Sequence, residues 1–370
     1  MEFTFTPEQR LMASTFRKLA DDLHTDAAGD AWRRMVEWGL PAMLAPESAG
    51  GLGLVDADFV LVAEEAGCAA LAEPLIEHAG IAAPMLADLA RLTFRDPTGS
   101  TPADPVRPSL ADRAGYAPAD GAGQALAAQV LTRAASGAAR IAIGHPVNPY
   151  VLGGARADYL LLASGDEVHL VEARHARLTR VESIDKGREL VKVESPASQT
   201  TRIAAGTAAR EAYRCALERG ALYSAAQLVG LCQRMIDLSV AYARQRRQFG
   251  KPIGSYQAIQ HALASVQVKL EFARPVLYYA ATRVCDPGLR AQAAVSHAKV
   301  AATDAADLAA RTAMQVHGAM GYSWEVDLHV YMKRAWALAG AWGDRSFHAR
   351  HVSSLVLEGH IEIGPECTFD

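Results

Sequence analysis

The chain has 370 residues, enough for two or three domains, and half of them are hydrophobic, so it can bury a large core. Its 37 basic and 41 acidic residues give a net charge of -4, which offers no general basic field for nucleic acid. Five widely spaced cysteines without a CxxC pair indicate neither a zinc ribbon nor a disulfide framework. With no signal-peptide pattern and no apolar run of membrane-spanning length, we expect a cytoplasmic protein without membrane partners.

Residues 1–137 predict a helical domain. Thr6, Pro7 and Gln9 have the pattern of a capping box followed by a helix with proline at its first position. A glycine-rich stretch over 45–54 breaks the helical pattern, and amphipathic spacing then resumes. Residues 96–125 are rich in Pro, Gly, Ala and Asp, and we interpret them as a long excursion between elements.

Residues 138–205 predict a small β domain. Two short apolar runs, 158–163 and 167–171, flank a turn that contains Gly165, as in a β-hairpin. Further strands are predicted at 140–143 and at 189–194.

Residues 206–370 predict a bundle of long helices. Two rows of mostly apolar residues recur every seven positions, Leu217, Ser224, Leu231 and Leu238 in one and Ala221, Leu228, Met235 and Tyr242 in the other. They indicate a packing seam on a helix of roughly 35 residues. Ser255 is predicted to cap a second long helix, and an alanine-rich third helix ends near Gly318. The predicted fold class is therefore mainly α with a small β domain, in the order helical domain, β domain, helical bundle.

Three motifs carry a resemblance to a known family. The segment 246–261 reads RRQFGKPIGSYQAIQH, the segment 315–322 reads QVHGAMGY, and the segment 46–54 reads PESAGGLGL. In this order they resemble the R-x-x-F-G…Q-x-x-Q, Q-x-x-G-G-x-G-Y and PE-x-x-GG-x-G motifs of the acyl-CoA dehydrogenases. The resemblance covers nearly the whole chain and implies the family's fold: an N-terminal helical domain, a central β domain and a C-terminal long-helix bundle.

The resemblance implies FAD as cofactor and five residues that contact it. Arg246 and Phe249 would meet the FAD of one site, and Gln257 is a further candidate. Gln315 and Gly318 would meet the adenosine and pyrophosphate end of a FAD held across a subunit contact. These residue types suit the task, because arginine pairs bidentately with pyrophosphate and an aromatic ring packs on a planar ring.

Structural roles for the same residues stay open. Arg246 alone would be read as a solvated helix-end arginine, Phe249 as core, and Gly318 as a helix C-cap. Glycines of the segment 46–54 fit turns better than ligand contacts. His348 and His351 lie three apart, but without further ligands nearby we predict no metal site.

The chain departs from the family pattern where the flavin ring would be cradled. Residues 142–150 read AIGHPVNPY and lack the carboxylate, glycine and serine of the family's T-E-P-x-x-G-S segment. His145 and Asn148 are polar enough to face a ligand, but the two prolines favour a turn.

The second departure concerns the base that removes the α-proton of a thioester. In most relatives it is a glutamate whose counted position here is Trp342, and in others it lies on a long helix at the position of Gly220. Glu218 lies about 200° around the helix from Gly220 and is expected to be an exposed carboxylate. Asp344 has a short side chain and the wrong register. No catalytic residue of this chain is therefore assigned.

These features predict the smaller, base-less subunit of a heteromeric FAD-dependent acyl-CoA dehydrogenase. The resemblance implies a longer homologous partner subunit in an α2β2 assembly and an electron-transfer flavoprotein as electron acceptor. The substrate it implies is an acyl-CoA, and the acyl-CoAs of steroid side chains and of dicarboxylic acids are the classes it includes. A self-sufficient homotetrameric dehydrogenase, a scaffold subunit without flavin, and a flavin monooxygenase of the same fold stay open as alternatives.

Overall fold

A computed structural model describes residues 5–23, 30–90, 121–194 and 198–364. The chain forms two compact units. The mixed unit comprises residues 26–59 and 73–220, and the bundle unit comprises residues 1–25, 60–72 and 221–370. The predicted boundaries at 137 and 205 stay a prediction.

Helices make up most of the described chain. In order they are α1 (Pro7–Leu23), α2 (Asp30–Glu37), α3 (Asp56–Cys68), α4 (Ala83–Ala90), α5 (Gly121–Ala135), α6 (Gly206–Gln245), α7 (Gln257–Arg283), α8 (Leu289–His317), α9 (Leu328–Ala339) and α10 (Arg345–Leu357). A π-helical segment, Ile76–Ala82, leads directly into α4. Within the described parts of the chain, no helix combines the length and apolar character needed to cross a membrane.

The first seven strands form a small β region in the mixed unit. They are β1 (Ile141–Ile143), β2 (Val151–Leu152), β3 (Tyr159–Ser164), β4 (Glu167–Glu172), β5 (Arg177–Val181), β6 (Leu190–Glu194) and β7 (Arg202–Ala205). One sheet has the order β1-β3-β4-β7 and another the order β2-β6-β5. The predicted hairpin is confirmed: β3 and β4 pair antiparallel from Tyr159–Glu172 to Ser164–Glu167, and Gly165 takes the left-handed conformation that the turn needs.

Helix starts were predicted with mixed success. The capping box of α1 is confirmed, because the Thr6 N–H donates to Gln9 Oε1 at 2.8 Å and the Gln9 N–H to Thr6 Oγ1 at 3.2 Å. The prediction that Ser255 caps the second long helix is wrong. Its hydroxyl donates to the Pro252 carbonyl at 2.8 Å within a 3-10 turn, and α7 begins only at Gln257.

The predicted excursion over 96–125 lies for the most part outside the described residues. At its end the prediction is wrong, because α5 already begins at Gly121. Gly123 is buried there beside Ala127, Val130 and Leu131, so this glycine serves helix packing instead of a loop.

Close helix packing positions the long helix α6 in the bundle unit. Most of the predicted seam from Ala221 to Met235 is fully buried. Two glycines let α3 and α6 approach with their backbones: a Cβ on Gly67 would lie 2.1 Å from the Gln227 carbonyl oxygen, and one on Gly230 would lie 1.9 Å from that of Glu64. Any side chain at either position would force the helices apart.

Candidate functional site

The first candidate residues lie on a tight hairpin at the end of α6. Strand β8 (Arg247–Gln248) pairs antiparallel with β9 (Lys251–Pro252), so that Phe249 and Gly250 form a two-residue loop. Both loop residues have positive φ, 52° and 83°, as a type I′ hairpin turn requires. An aromatic residue in this conformation costs on the order of 1–3 kcal/mol.

The strained loop also holds its aromatic ring in the open. Phe249 is 93% exposed, so the bundle unit does not use it as core. Arg246, just before the hairpin, is exposed as well. The core reading of Phe249 is therefore wrong, and Arg246 and Phe249 are both exposed near the end of α6.

Several hydrogen bonds fix the hairpin. The Arg246 N–H donates to the Tyr242 carbonyl at 2.8 Å, and the Arg246 carbonyl accepts from the Ile253 N–H at 2.8 Å. The Tyr256 hydroxyl donates to the Gln248 carbonyl at 3.1 Å. The backbone at Arg246 and Phe249 is thus preorganised rather than free.

The second pair of candidates lies at the C-terminal end of α8. Gln315 is an exposed residue of the last turn, and its carbonyl accepts from the Gly318 N–H. Gly318 has φ 58° and ψ -136°, and no atom lies within 4 Å of the position that a Cβ would take. Gly318 therefore ends the helix, as predicted for a C-cap glycine. The position that its Cβ would take also faces open space.

A stacked pair of rings joins the two motifs. The rings of Tyr242 and His317 lie 4.4 Å apart with an interplanar angle of 24°, and the Tyr242 hydroxyl donates to the His317 carbonyl at 3.5 Å. The His317 Nδ1–H donates to the Ala313 carbonyl at 2.8 Å, and burial lowers the pKa of this imidazole. The sequence reasoning gave neither ring a role at the site, although His317 directly precedes Gly318 in the motif.

Gln257 begins α7. Its side chain is exposed, and Tyr256 before it makes no side-chain cap. The first N–H groups of a helix without a side-chain cap are available to solvent or a ligand. The structure thus brings the ends of α6 and α8 together through Tyr242 and His317.

Comparisons with known proteins agree with this architecture. The model of the acyl-CoA dehydrogenase C-terminal domain matches residues 211–354. Acyl-CoA dehydrogenase IpdE2 of Mycobacterium tuberculosis is 30% identical over 82% of this chain and 79% of its own length. Its namesake from Mycolicibacterium smegmatis is 30% identical over 88% of both chains. The chain belongs to the acyl-CoA dehydrogenase family.

The fold comparison extends over the whole chain. The crystal structure of the ChsE4-ChsE5 complex from Mycobacterium tuberculosis covers 97% of this chain and 99% of its own with a TM-score of 0.75, at 23% identity. At that identity the likeness concerns the fold, and it confirms the predicted acyl-CoA dehydrogenase-like architecture.

Trp342 is the residue that sequence counting predicted at the position of the family's glutamate. It is 3% exposed and has a φ of 56° in the turn between α9 and α10. The His348 Nε2–H donates to the Trp342 carbonyl at 2.9 Å. Next to it, a Cβ on Gly343 would lie 2.6 Å from the Phe347 ring. The turn is therefore tightly fixed around a side chain that cannot accept a proton.

Asp344, the nearest carboxylate to Trp342 in sequence, caps α10. Its Oδ1 accepts the Phe347 N–H at 2.7 Å. This bond satisfies an orphan donor of the helix and holds the carboxylate at the helix start.

The expectation that Glu218 is exposed is wrong. Its side chain is 7% exposed and forms an ion pair with the Arg214 guanidinium one turn earlier on α6. Arg214 also pairs with Glu211 at 2.8 Å. A helix face that looked polar in sequence is packed in the fold, and the arginine holds the buried carboxylate.

The segment 142–150 forms a turn, as its prolines predicted. His145 and Asn148 bridge across it, with the Asn148 N–H donating to the His145 carbonyl at 2.8 Å. The His145 Nε2–H donates to the Tyr213 carbonyl at 3.2 Å, and its Nδ1 accepts the Val147 N–H at 3.1 Å. Burial lowers the pKa of His145 to about 4. Both imidazole nitrogens are thus used within the mixed unit.

His348 and His351 do not share one environment. His348 is buried, with its Nδ1 accepting from the Ser296 hydroxyl at 3.0 Å, whereas His351 is half-buried. Over the described ranges no group of three or more His, Cys, Asp or Glu side chains is arranged to hold a metal ion.

Proposed function

We propose that this chain is the smaller subunit of a heteromeric FAD-dependent acyl-CoA dehydrogenase. In this role it contributes Arg246, Phe249, Gln257, Gln315 and Gly318 to FAD binding, and a longer homologous partner contributes the base. The observation that supports the proposal is the buried Trp342, whose carbonyl is held by His348, at the position that sequence counting predicts for the family's glutamate.

The residues of this chain fit part of a FAD molecule. Open space beside Gly318, where a Cβ would stand, accommodates a ligand at the end of α8. The Arg246 guanidinium supplies a cation for the pyrophosphate, and the exposed Phe249 ring supplies an apolar face. The strain at Phe249 supports a ligand role, since such conformations cluster where a ligand is gripped.

The isoalloxazine ring is expected to be cradled by the partner. Within 142–150 the imidazole of His145 is committed to Tyr213 and Val147, so this ring is not available to face a flavin. When bound, FAD supplies the hydride acceptor for α,β-desaturation of an acyl-CoA thioester. An electron-transfer flavoprotein would then receive the electrons, as the family resemblance implies.

The catalytic base is the group that this chain does not supply in the proposed assembly. Abstraction of the α-proton needs a carboxylate within hydrogen-bond reach of the substrate. Glu218 is engaged with Arg214, Asp344 caps α10, and Gly220 and Trp342 have no carboxylate. The partner's pocket would also determine which acyl group is accepted. The resemblance favours a steroid side-chain or dicarboxylic acyl-CoA as the class of substrate.

A reconstitution experiment tests this proposal. The chain alone, given FAD, a panel of acyl-CoA thioesters and an artificial electron acceptor, should desaturate at background rate, since general-base catalysis contributes roughly 10²–10⁴-fold. Adding the longer partner should restore turnover, and replacing the partner's glutamate should abolish it. Glu218→Gln in this chain should leave turnover of the assembly within a few fold.

Two outcomes would contradict the proposal. If the chain alone desaturates an acyl-CoA and Glu218→Gln stops it, the protein is a self-sufficient dehydrogenase. If the purified assembly binds no flavin by absorbance, the chain is a scaffold and its motif residues have another role.

A further inference from the structure

A polar pocket lies at one end of the β3–β4 hairpin in the mixed unit. It has a volume of about 340 Å³. Its lining comes from α5, from the chain at the start of β3 and from the end of β4 with the turn that follows: Arg133, Ala157, Asp158, Tyr159, Glu172 and Arg174. Tyr159 pairs with Glu172 in the hairpin register, so the pocket is at the end opposite the Gly165 turn. The pocket uses none of the residues assigned to FAD.

The backbone that carries Asp158 is held on both sides. The N–H groups of Asp158 and Tyr159 donate to the Arg140 carbonyl at 2.9 and 3.1 Å, and the Asp158 carbonyl accepts from the Ala173 N–H at 2.8 Å. The Asp158 Oδ2 accepts the Arg140 N–H at 2.7 Å. This wall of the pocket is therefore preorganised.

Arg133 and Tyr159 bring hydrogen-bond donors together in the pocket. An Arg133 Nη1–H donates to the Tyr159 hydroxyl oxygen at 2.7 Å, and the guanidinium carbon lies 5.5 Å from the centre of the ring. Tyr159 is only 9% exposed, so its hydroxyl is held in place by packing as well. A guanidinium has five N–H donors and a phenol has one O–H donor. Across the described ranges, the other guanidinium N–H groups and the Tyr159 O–H make no hydrogen bond, so they are available to a ligand.

The charges of the pocket are balanced but not all paired. Arg174 Nη2 and Glu172 Oε2 lie 2.5 Å apart, so these two charges compensate each other. Arg133 donates to a neutral hydroxyl, and the Asp158 carboxylate accepts from a backbone N–H. Among the described residues, Arg133 thus keeps an uncompensated positive charge and Asp158 an uncompensated negative charge. A matching ligand has an anionic group for Arg133 and hydrogen-bond donors for Asp158.

The number of donors favours phosphate over carboxylate as the anionic group. The two oxygens of a carboxylate are satisfied by the fork of one guanidinium, which would leave the Tyr159 hydroxyl proton without an acceptor. A phosphate monoester has three terminal oxygens and can accept from Arg133 and Tyr159 together. We propose that this pocket binds a small phosphate monoester that carries hydroxyl groups, of the sugar phosphate class. Arg133 and Tyr159 hold the phosphate, and Asp158 accepts from the hydroxyl groups.

The inference goes beyond the proposed function, because it depends neither on flavin nor on a partner subunit. Isothermal titration calorimetry of the purified protein at low ionic strength tests it, with ribose 5-phosphate as the probe. The dissociation constant should lie below about 1 mM. Inorganic phosphate, ribose and gluconate are the reference compounds, and each should bind at least about tenfold more weakly.

Three variants test the assigned roles. Arg133→Gln removes the cation and should weaken binding of ribose 5-phosphate at least about tenfold. Arg133→Lys keeps the charge but loses the fork, so it should weaken binding as well. Asp158→Asn should weaken binding of ribose 5-phosphate while leaving that of inorganic phosphate unchanged or stronger. Arg210→Gln, at an exposed arginine of the mixed unit outside the pocket, is the matched control and should bind as wild type does. Circular dichroism of each variant checks that it is folded.

Four results would overturn the inference. The first is a wild-type protein that binds no ribose 5-phosphate below about 1 mM. The second is equal binding by the wild type and the folded variants at Arg133. Gluconate as tight as ribose 5-phosphate would replace phosphate by a carboxylate as the ligand group. Inorganic phosphate as tight as ribose 5-phosphate would show an anion site that does not recognise hydroxyl groups.

Discussion

His348 holds the backbone of Trp342 through a hydrogen bond of 2.9 Å from its Nε2–H to the Trp342 carbonyl. A carbonyl only accepts, so this bond assigns the neutral tautomer with the proton on Nε2, and Nδ1 accepts from Ser296. Burial lowers the pKa of His348 to about 4. The turn that carries Trp342 in its left-handed conformation is therefore tied to an uncharged imidazole.

This arrangement predicts a loss of stability in acid. The pKa of the imidazole is about 4 in the folded state and about 6.5, its usual value, in the unfolded chain. Its contribution to the free energy of unfolding is therefore complete above about pH 6.5 and is lost as the pH falls towards 4. The contribution is on the order of 3 kcal/mol. In urea unfolding, His348→Gln should have a lower free energy of unfolding than wild type at pH 7. The difference between the two proteins should be smaller, or reversed, at pH 4.5. His261→Gln, at an exposed position on α7, should run parallel to wild type at both values. A His348→Gln difference that does not change with pH would contradict the assignment.

Arg246 is predicted to hold flavin in the assembly. Arg246→Ala removes a charge-assisted contact with the pyrophosphate, worth about 1.5–3 kcal/mol, so FAD affinity should fall at least about tenfold. Flavin fluorescence during titration of the apo assembly measures the affinity. Arg244→Ala, two residues earlier and also exposed, is the matched control and should bind FAD as wild type does. Equal affinities of both variants would remove Arg246 from the site.

Phe249 should show opposite effects on stability and on binding. Asparagine tolerates positive φ better than phenylalanine, so Phe249→Asn relieves strain at φ 52° while removing the ring. The free energy of unfolding should stay equal or rise by up to about 1 kcal/mol, whereas FAD affinity should fall. Tyr256→Phe provides the contrast, because it loses the bond to the Gln248 carbonyl and should destabilise the hairpin. A clear loss of stability in Phe249→Asn would show that the ring serves folding instead.

Local signals in the sequence predicted local structure well. The capping box at Thr6 and the turn at Gly165 each depend on residues within a few positions of one another, and both are confirmed. The prediction that Ser255 caps α7 failed because a hydroxyl near a helix start can either cap the helix or close the preceding turn. The path of the backbone decides between the two.

The motif residues of the candidate site could be named from the sequence, whereas the contacts that hold them in place could not. Arg246 and Gly318 could be named from resemblance, but the Tyr242–His317 stack joins residues 75 positions apart. Glu218 looked exposed because its burial depends on what packs against α6, which helical spacing alone does not show. Long-range packing of this kind is decided by the whole fold.

The close approach of α3 and α6 gives a final prediction about stability. A Cβ on Gly230 would stand 1.9 Å from the Glu64 carbonyl oxygen and 2.7 Å from the Cys68 nitrogen, so both obstacles are helix backbone that cannot rotate away. Gly230→Ala should therefore push the two helices apart and lower the free energy of unfolding by about 3 kcal/mol or more, although alanine favours helix. Gly340→Ala is the control, since its nearest neighbour is 3.9 Å away and its φ of -88° suits any residue. It should leave stability unchanged or slightly higher. Chemical denaturation of both variants measures the difference. A Gly230→Ala protein within about 1 kcal/mol of wild type, an ordinary effect for a point mutation, would show that α3 and α6 are not in backbone contact there.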